Sequence, residues 1–156
     1  MSTSFYCDTS ALVKLYHREA GTERMEEIFR QEDKTLMISE LAIVEFYSTL
    51  ARKMRTGEIT LEAQAEAHRN FETDCQRRFV VAPLSSSVIQ KAKELLQKHG
   101  NTKALRTLDA LHLGACLSAL PRETLVFVSA DTRQIDVGLL EGLQVLNPES
   151  PMEPQT

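Results

Sequence analysis

Short apolar runs alternate along the chain with segments in which apolar residues recur at helical spacing. The apolar runs predict five strands, at Ser4–Cys7, Lys34–Ile38, Phe79–Ala82, Thr124–Ser129 and Gln144–Leu146. The segments between them, with spacing near 3.6 residues, predict seven helices: Ser10–Arg18, Gly21–Glu32, Glu40–Arg55, Leu61–Gln76, Ser85–His99, Leu108–Leu120 and Asp131–Glu141.

Capping residues support several of these boundaries. Ser39 and Gly57 frame the third helix, and Thr107 is the predicted N-cap of the sixth. Strands that alternate with helices predict a mainly parallel sheet of four to five strands covered by helices on both faces, a three-layer α/β/α fold. We expect residues 1–147 to form one domain and residues 148–156, which contain three prolines, to form a flexible tail.

Composition narrows the class of protein. The chain has 156 residues, of which 42% are apolar and 26% charged, as in an ordinary globular domain. No apolar run approaches the roughly 20 residues that span a bilayer, and no secretory signal is evident, so no membrane association is expected. The scattered Cys7, Cys75 and Cys116 favour reduced thiols and a cytoplasmic location. The net charge of −4 argues against nucleic-acid binding by a basic surface alone, but not against a nuclease.

Four carboxylates interrupt apolar stretches that otherwise have the character of core. They are Asp8, Glu45, Asp109 and Asp131. Asp8 and Asp131 follow predicted strands, and ligands gather at the carboxyl ends of parallel strands. Because carboxylates brought together near a core repel one another, their convergence requires a cation. Oxygen ligands suit Mg²⁺ or Mn²⁺ better than zinc, so metal-assisted phosphodiester chemistry is the leading hypothesis.

Each acid alone also has a structural explanation. Asp8 can close an Asx-turn, Asp109 can compensate a helix dipole, and Asp131 can cap the following helix. Glu45 can pair with Arg52. These explanations remain open for the individual residues, and the metal site is favoured by the four acids together.

Other residues carry weaker signals. Asp136 is an additional candidate ligand, although a solvated helix position is the better interpretation. His112 and Cys116 share a helix face, but two such residues are weak evidence for zinc, and a packed core histidine is expected. Arg106 stands three residues before Asp109, so it can contact a substrate phosphate or pair with an acid.

Four segments resemble the PIN-domain family of metal-dependent ribonucleases, which includes the VapC-like toxin subunits of type II toxin–antitoxin modules. The segments are Tyr6–Leu15, Ser39–Glu45, Leu108–Leu113 and Phe127–Asp131. Their order and separations match across nearly the whole predicted fold. One departure is Ser129, where the family often has threonine, and the hydroxyl is retained.

The resemblance implies that one or two Mg²⁺ or Mn²⁺ ions are held by Asp8, Glu45, Asp109 and Asp131. It implies that Thr9 and Ser129 shape the substrate pocket. It also implies an RNA substrate, a homodimer and, for a toxin, a small inhibitory antitoxin. Hydrolysis by a metal-activated water would leave a 5′-phosphate and a 3′-hydroxyl.

Two alternatives to a toxin nuclease remain. One is an RNA-processing PIN nuclease that is not a toxin, and the other is a non-catalytic PIN-like module that binds RNA or protein. Receiver-type and dehalogenase-like α/β proteins fit poorly. Ser10 occupies the place of the second aspartate that a dehalogenase needs, and no lysine follows Lys103.

Overall fold

The computed structural model describes residues 2–119 and 122–151. Within them, five strands form one sheet in the order β3-β2-β1-β4-β5, and all four pairings are parallel. The strands are β1 (Ser4–Cys7), β2 (Thr35–Ser39), β3 (Phe79–Ala82), β4 (Leu125–Val128) and β5 (Gln144–Leu146). This confirms the predicted parallel sheet.

The described helices are α1 (Thr9–Leu12), α2 (Thr22–Arg30), α3 (Glu40–Arg55), α4 (Leu61–Arg77), α5 (Ser86–His99), α6 (Thr107–Leu117) and α7 (Thr132–Leu140). They cover the sheet on both sides, which confirms the three-layer α/β/α fold. In this part of the chain no helix is both long and apolar enough to cross a membrane.

Strand β1 sits at the centre of the sheet, and its alternating side chains build two separate cores. Phe5 and Cys7 belong to the core beneath α1 to α4, whereas Tyr6 belongs to the core beneath α5 to α7. This is the two-residue period of a strand buried on both faces. The chain passes from β1 to β2 on one side of the sheet and from β4 to β5 on the other. A crevice therefore forms at the carboxyl ends of β1 and β4, where the two connections diverge.

Helices α5 and α6 approach closely at Gly114. A Cβ atom placed there would lie 3.0 Å from the Val88 carbonyl oxygen and 3.1 Å from the Ala92 nitrogen. Only a glycine lets the backbones come this near, so Gly114 fixes the position of α6 against the sheet.

Two predicted helix boundaries were wrong. The first helix does not run from Ser10 to Arg18, because after Leu12 it tightens into a 3₁₀ turn over Val13–Leu15. The Thr22 hydroxyl donates to the Lys14 carbonyl over 2.8 Å and takes an acceptor that a continuing helix would use.

The N-cap of α6 is Arg106 and not Thr107, because the Asp109 carboxylate reaches back to the Arg106 amide nitrogen. Helix α6 ends at Leu117 in the structure. The predicted end, Leu120, lies outside the described residues.

Part of the predicted tail also lies outside them, namely residues 152–156. The described part makes contacts with the body of the protein. Glu149 pairs with Lys14, and Gly21 lies against the backbone of Pro148. The boundary of the domain at residue 147 stays a prediction.

Candidate active site

The four predicted acids line one cavity of about 640 Å³ at the carboxyl ends of β1 and β4. Asp8 follows β1 directly, and Asp131 lies three residues after β4. Glu45 reaches the cavity from α3 and Asp109 from the first turn of α6. The sequence therefore predicted correctly that these side chains share one place, and it did so from strand ends and helix faces.

Asp8 is the most deeply buried of the four acids, with 1% of its surface exposed. Its Oδ1 accepts hydrogen bonds from Ser10 Oγ at 2.7 Å and the Ala11 amide at 3.0 Å, and its Oδ2 accepts one from Ser129 Oγ at 2.6 Å. Burial raises the pKa of Asp8 even though nearby His112 and these hydrogen bonds act in the opposite direction. The ionised form is therefore held at an energetic cost that a cation in the cavity would relieve.

Ser129 and Ser10 join the two strand ends. Ser129 Oγ donates to Asp8 and accepts from the Asp131 amide at 3.0 Å. Ser10 Oγ accepts from the Ala130 amide at 3.0 Å. These two hydroxyls hold the backbone after β4 against the Asp8 carboxylate, so the residue predicted to shape the pocket, Ser129, lies beside Asp8.

Asp109 and Asp131 each serve as helix-capping groups. Asp109 Oδ2 accepts from the Arg106 amide at 3.0 Å, and its Oδ1 accepts from Gln134 Nε2 at 3.2 Å. Asp131 Oδ1 accepts from the Arg133 amide at 2.9 Å. The predicted capping by Asp131 is thus observed, and Asp109 lies in the first turn of its helix as its dipole explanation requires. Both carboxylates also line the cavity, where each retains further lone pairs.

Arg106 lies between two of the acids. Its guanidinium is 3.5 Å from Asp109 Oδ2 and 3.9 Å from Asp131 Oδ2, and its side chain is 65% exposed. The predicted proximity of Arg106 to the acidic cluster is therefore observed. The Arg106 guanidinium thus lies against both carboxylates at the mouth of the cavity.

Glu45 pairs with His112 and Thr9 rather than with Arg52. Its Oε1 accepts from Thr9 Oγ1 at 2.7 Å and makes a very short hydrogen bond with His112 Nε2. Burial alone would raise the pKa of Glu45, but the hydrogen bonds to His112 and Thr9 outweigh it and the net shift is downward. Glu45 is therefore held in its ionised form beside the other acids.

His112 is a residue of this site that the sequence argument had assigned to the core. It is 2% exposed, and it lines the cavity one helical turn after Asp109. That i,i+3 spacing was the available signal. Its supposed zinc partner, Cys116, packs instead in the apolar core beneath α5 to α7, and Asp136 is exposed and outside the cavity lining.

Charge is divided within the cavity. The cavity lining includes the four acids with Arg106. It also includes a second cluster of ion pairs, formed by Lys14, Lys53, Glu19 and Glu149. The second cluster was not expected from the sequence, because its members come from four separate segments.

The donor atoms suit a hard divalent cation. All four acids offer oxygen, and neither a thiolate nor a second histidine accompanies them in the lining. As they stand, no three acidic, histidine or cysteine side chains among the described residues converge closely enough to hold an ion. The hydrogen bonds of Asp8 and the guanidinium of Arg106 satisfy the carboxylates in this arrangement.

Comparison with known families identifies this arrangement. A family model described as PIN domain matches residues 5–140, which include all four acids, strands β2 to β4 and all of β1 except Ser4. The chain belongs to the PIN domain family.

Several solved structures share this fold at low sequence identity. VapBC2 from Rickettsia felis, solved with a DNA fragment from its promoter, is 14% identical, with a TM-score of 0.63 over 93% of this chain and 98% of that chain. The sarcin–ricin-loop-cleaving toxin VapC20 from Mycobacterium tuberculosis is 16% identical, with a TM-score of 0.65 over 86% and 95%. FitAcB from Neisseria gonorrhoeae is 15% identical, with a TM-score of 0.62 over 92% and 97%. A comparison with curated protein sequences finds no match.

Proposed function

We propose that this PIN domain is a metal-dependent ribonuclease that hydrolyses RNA phosphodiester bonds and acts as the toxin of a type II toxin–antitoxin pair. The observation that carries the proposal is the buried Asp8 carboxylate, which shares one open cavity with Asp109, Asp131 and Glu45. Asp8 and Asp109 are buried, and Glu45 and Asp131 are half-buried. A divalent ion bound among them would offset the cost of holding four acids in one cavity.

Asp8 and Asp109 would be the principal ligands of one or two Mg²⁺ or Mn²⁺ ions, and Asp131 and Glu45 would complete the site directly or through water. When bound, such an ion lowers the pKa of a water and stabilises the leaving oxygen. Arg106 lies against Asp109 and Asp131 at the mouth of the cavity. If an ion took its place between these carboxylates, its guanidinium would be available to a substrate phosphate.

The remaining residues position these groups. Ser10 and Ser129 fix the orientation of the Asp8 carboxylate by donating to both of its oxygens. Thr9 and His112 hold Glu45 ionised, with its second oxygen left for the attacking water. The proton of that water passes to Glu45 or to solvent, and the products carry a 5′-phosphate and a 3′-hydroxyl.

The toxin assignment is supported by the resemblance to VapBC and FitAB proteins, several of which were solved as toxin–antitoxin assemblies. By analogy we propose a small antitoxin that covers the cavity, a homodimer, and action in the cytoplasm. These partners are part of the proposal and are tested separately from the chemistry, by co-expression with the neighbouring open reading frame.

The decisive experiment measures cleavage of a structured RNA pool with Mg²⁺, Mn²⁺ or EDTA. Asp8→Asn and Asp109→Asn should each abolish metal-dependent cutting. Asp136→Asn is the matched control, because it removes the same charge from an exposed position outside the cavity.

Equal cutting by the parent protein and the Asp8→Asn variant would overturn the assignment of the site. Folded protein without affinity for either metal would overturn the nuclease and favour a binding module.

A further inference from the structure

Two buried lysines, Lys14 and Lys53, line the same cavity as Arg106. Lys14, in the 3₁₀ turn after α1, has 3% of its side chain exposed, and Lys53, on α3, has 8%. Their Nζ atoms share one carboxylate, at 3.1 Å and 3.3 Å from the two oxygens of Glu19. Both ammonium groups line the same cavity as Asp8.

The C-terminal segment supplies a second partner for Lys14. Glu149 Oε1 lies 2.7 Å from Lys14 Nζ, although 135 residues separate the two in sequence. The segment is held by local contacts. The Glu149 amide donates to Asn147 Oδ1 at 2.9 Å, and a Cβ on Gly21 would come within 3.0 Å of the Pro148 carbonyl. The carboxylate of Glu149 is thereby placed inside the cavity lining.

The two acids differ in how readily they can leave. Glu19 bonds to both lysines, and its side chain is 30% exposed. Glu149 pairs with Lys14 alone, and its side chain is 42% exposed. A buried ammonium must keep an anionic partner. A phosphodiester group, which is also a monoanion with oxygen acceptors, can therefore replace Glu149 without leaving Lys14 unpaired.

We propose that Lys14 and Lys53 form a subsite for an RNA backbone phosphate beside the carboxylate cluster, and that Glu149 occupies this subsite in the substrate-free protein. The C-terminal segment and the RNA then compete for Lys14. This inference rests on the proposed ribonuclease function, and it assigns to the chain its own weak, reversible inhibitor.

The test compares binding of a short, fluorescently labelled single-stranded RNA of mixed sequence by fluorescence anisotropy with Mg²⁺. All variants carry Asp109→Asn so that the RNA stays intact. Glu149→Gln should bind about two- to fivefold more tightly, since removing an ion pair of this kind raises the fraction of protein with an open subsite. Glu32→Gln is the matched control, because it removes the same charge at an exposed position outside the cavity and should leave Kd unchanged.

Lys14 provides an independent readout. Lys14→Gln should weaken RNA binding and lower the salt dependence of the Kd by about one phosphate contact. In the double variant it should also cancel the tighter binding caused by Glu149→Gln. In the background with Asp109 intact, Glu149→Gln should lower KM with kcat unchanged. Lys14→Arg should restore binding, whereas a purely structural role would show only in thermal stability.

The outcomes separate this inference from the proposed function. Metal-dependent cleavage together with equal Kd values for Glu149→Gln and Glu32→Gln would overturn the subsite and leave the nuclease intact. Tighter binding by Glu149→Gln without cleavage in any metal would support the subsite and overturn the nuclease. Absence of RNA binding by every variant would overturn the subsite as well.

Discussion

Gly114 on α6 offers a quantitative test of the packing that positions the site. In Gly114→Ala the new methyl group would meet two backbone atoms of α5, at 3.0 Å and 3.1 Å. Backbone atoms cannot rotate away as a side chain does, so α5 and α6 must separate by a few tenths of an ångström. Asp109 and His112 lie on the moving helix, and the cavity geometry must change with it.

The expected size follows from two opposing effects. Alanine in a helix interior is favoured over glycine by about 1 kcal/mol. Forcing an extra carbon into a packed interface costs about 1–3 kcal/mol. The net change is a loss of about 1 kcal/mol in the free energy of unfolding, which lowers Tm by about 2–4 °C for a domain of this size. RNA cleavage should fall further than stability, because a displacement of this kind at a catalytic centre has a large effect on rate.

Gly138 on α7 is the matched control for this substitution. A Cβ there would lie 3.4 Å from Val145 Cγ1 and 3.6 Å from side-chain atoms of Leu113 and Leu143. These are ordinary contacts with flexible side chains, so Gly138→Ala should be neutral or stabilising by up to about 1 kcal/mol. Urea unfolding followed by circular dichroism measures both variants. If Gly114→Ala were as stable as the Gly138→Ala variant, the close approach of α5 and α6 would be refuted.

Three further predictions concern the acids and their partners. Asp8→Asn should raise thermal stability at neutral pH, because burial raises the pKa of Asp8 and the ionised form is disfavoured in the fold. The gain should shrink as the pH falls towards the ordinary value for aspartate, and added Mg²⁺ should stabilise only the parent protein. His112→Leu should reduce cleavage or metal affinity about 10- to 100-fold, since Glu45 loses the partner that holds it ionised. Arg106→Ala should weaken RNA binding and reduce its salt dependence by about one phosphate contact.

Calorimetry over a pH series tests Asp8→Asn. Titration of the cleavage rate with Mg²⁺ tests His112→Leu, and RNA binding at several salt concentrations tests Arg106→Ala. A less stable Asp8→Asn variant at neutral pH would contradict the assigned effect of burial. Unchanged metal dependence in His112→Leu would reduce that histidine to a packing role. Identical affinity and salt dependence in Arg106→Ala would remove Arg106 from the substrate contacts.

The sequence was sufficient to predict the parallel sheet and the convergence of the four acids, because both depend on local sequence pattern. The alternation at Phe5, Tyr6 and Cys7 identifies a strand buried on both faces, and Asp8 marks its carboxyl end. Parallel strands then bring their carboxyl ends to one edge, whatever the details of packing. The end of the helix that begins at Thr9 could not be predicted from its own sequence, because it depends on a hydrogen bond from the hydroxyl of Thr22 in another element.

The groups that the sequence did not reveal are those defined only by tertiary contacts. The residues around His112 in the sequence are mostly apolar, so a core position was predicted for it. Its hydrogen bond with Glu45 forms only because α3 brings Glu45 against it in the fold. The pairing of Lys14 with Glu149 joins nearly opposite ends of the chain, so no spacing rule connects them. Local periodicity reports which face of an element is buried, and it does not report what that face meets.

The central position of β1 has a consequence for how the protein is made. Asp8 is synthesised 121 residues before its partner Ser129, which corresponds to a delay of roughly 6–24 seconds at ordinary rates of translation. A nascent chain that ends before α6 carries Asp8 and Glu45 without Asp109 or Asp131, so it has no complete carboxylate set. The chemistry that we propose therefore becomes available only after α6 and the residues following β4 have been synthesised, and a polypeptide that stops before α6 is expected to cleave no RNA.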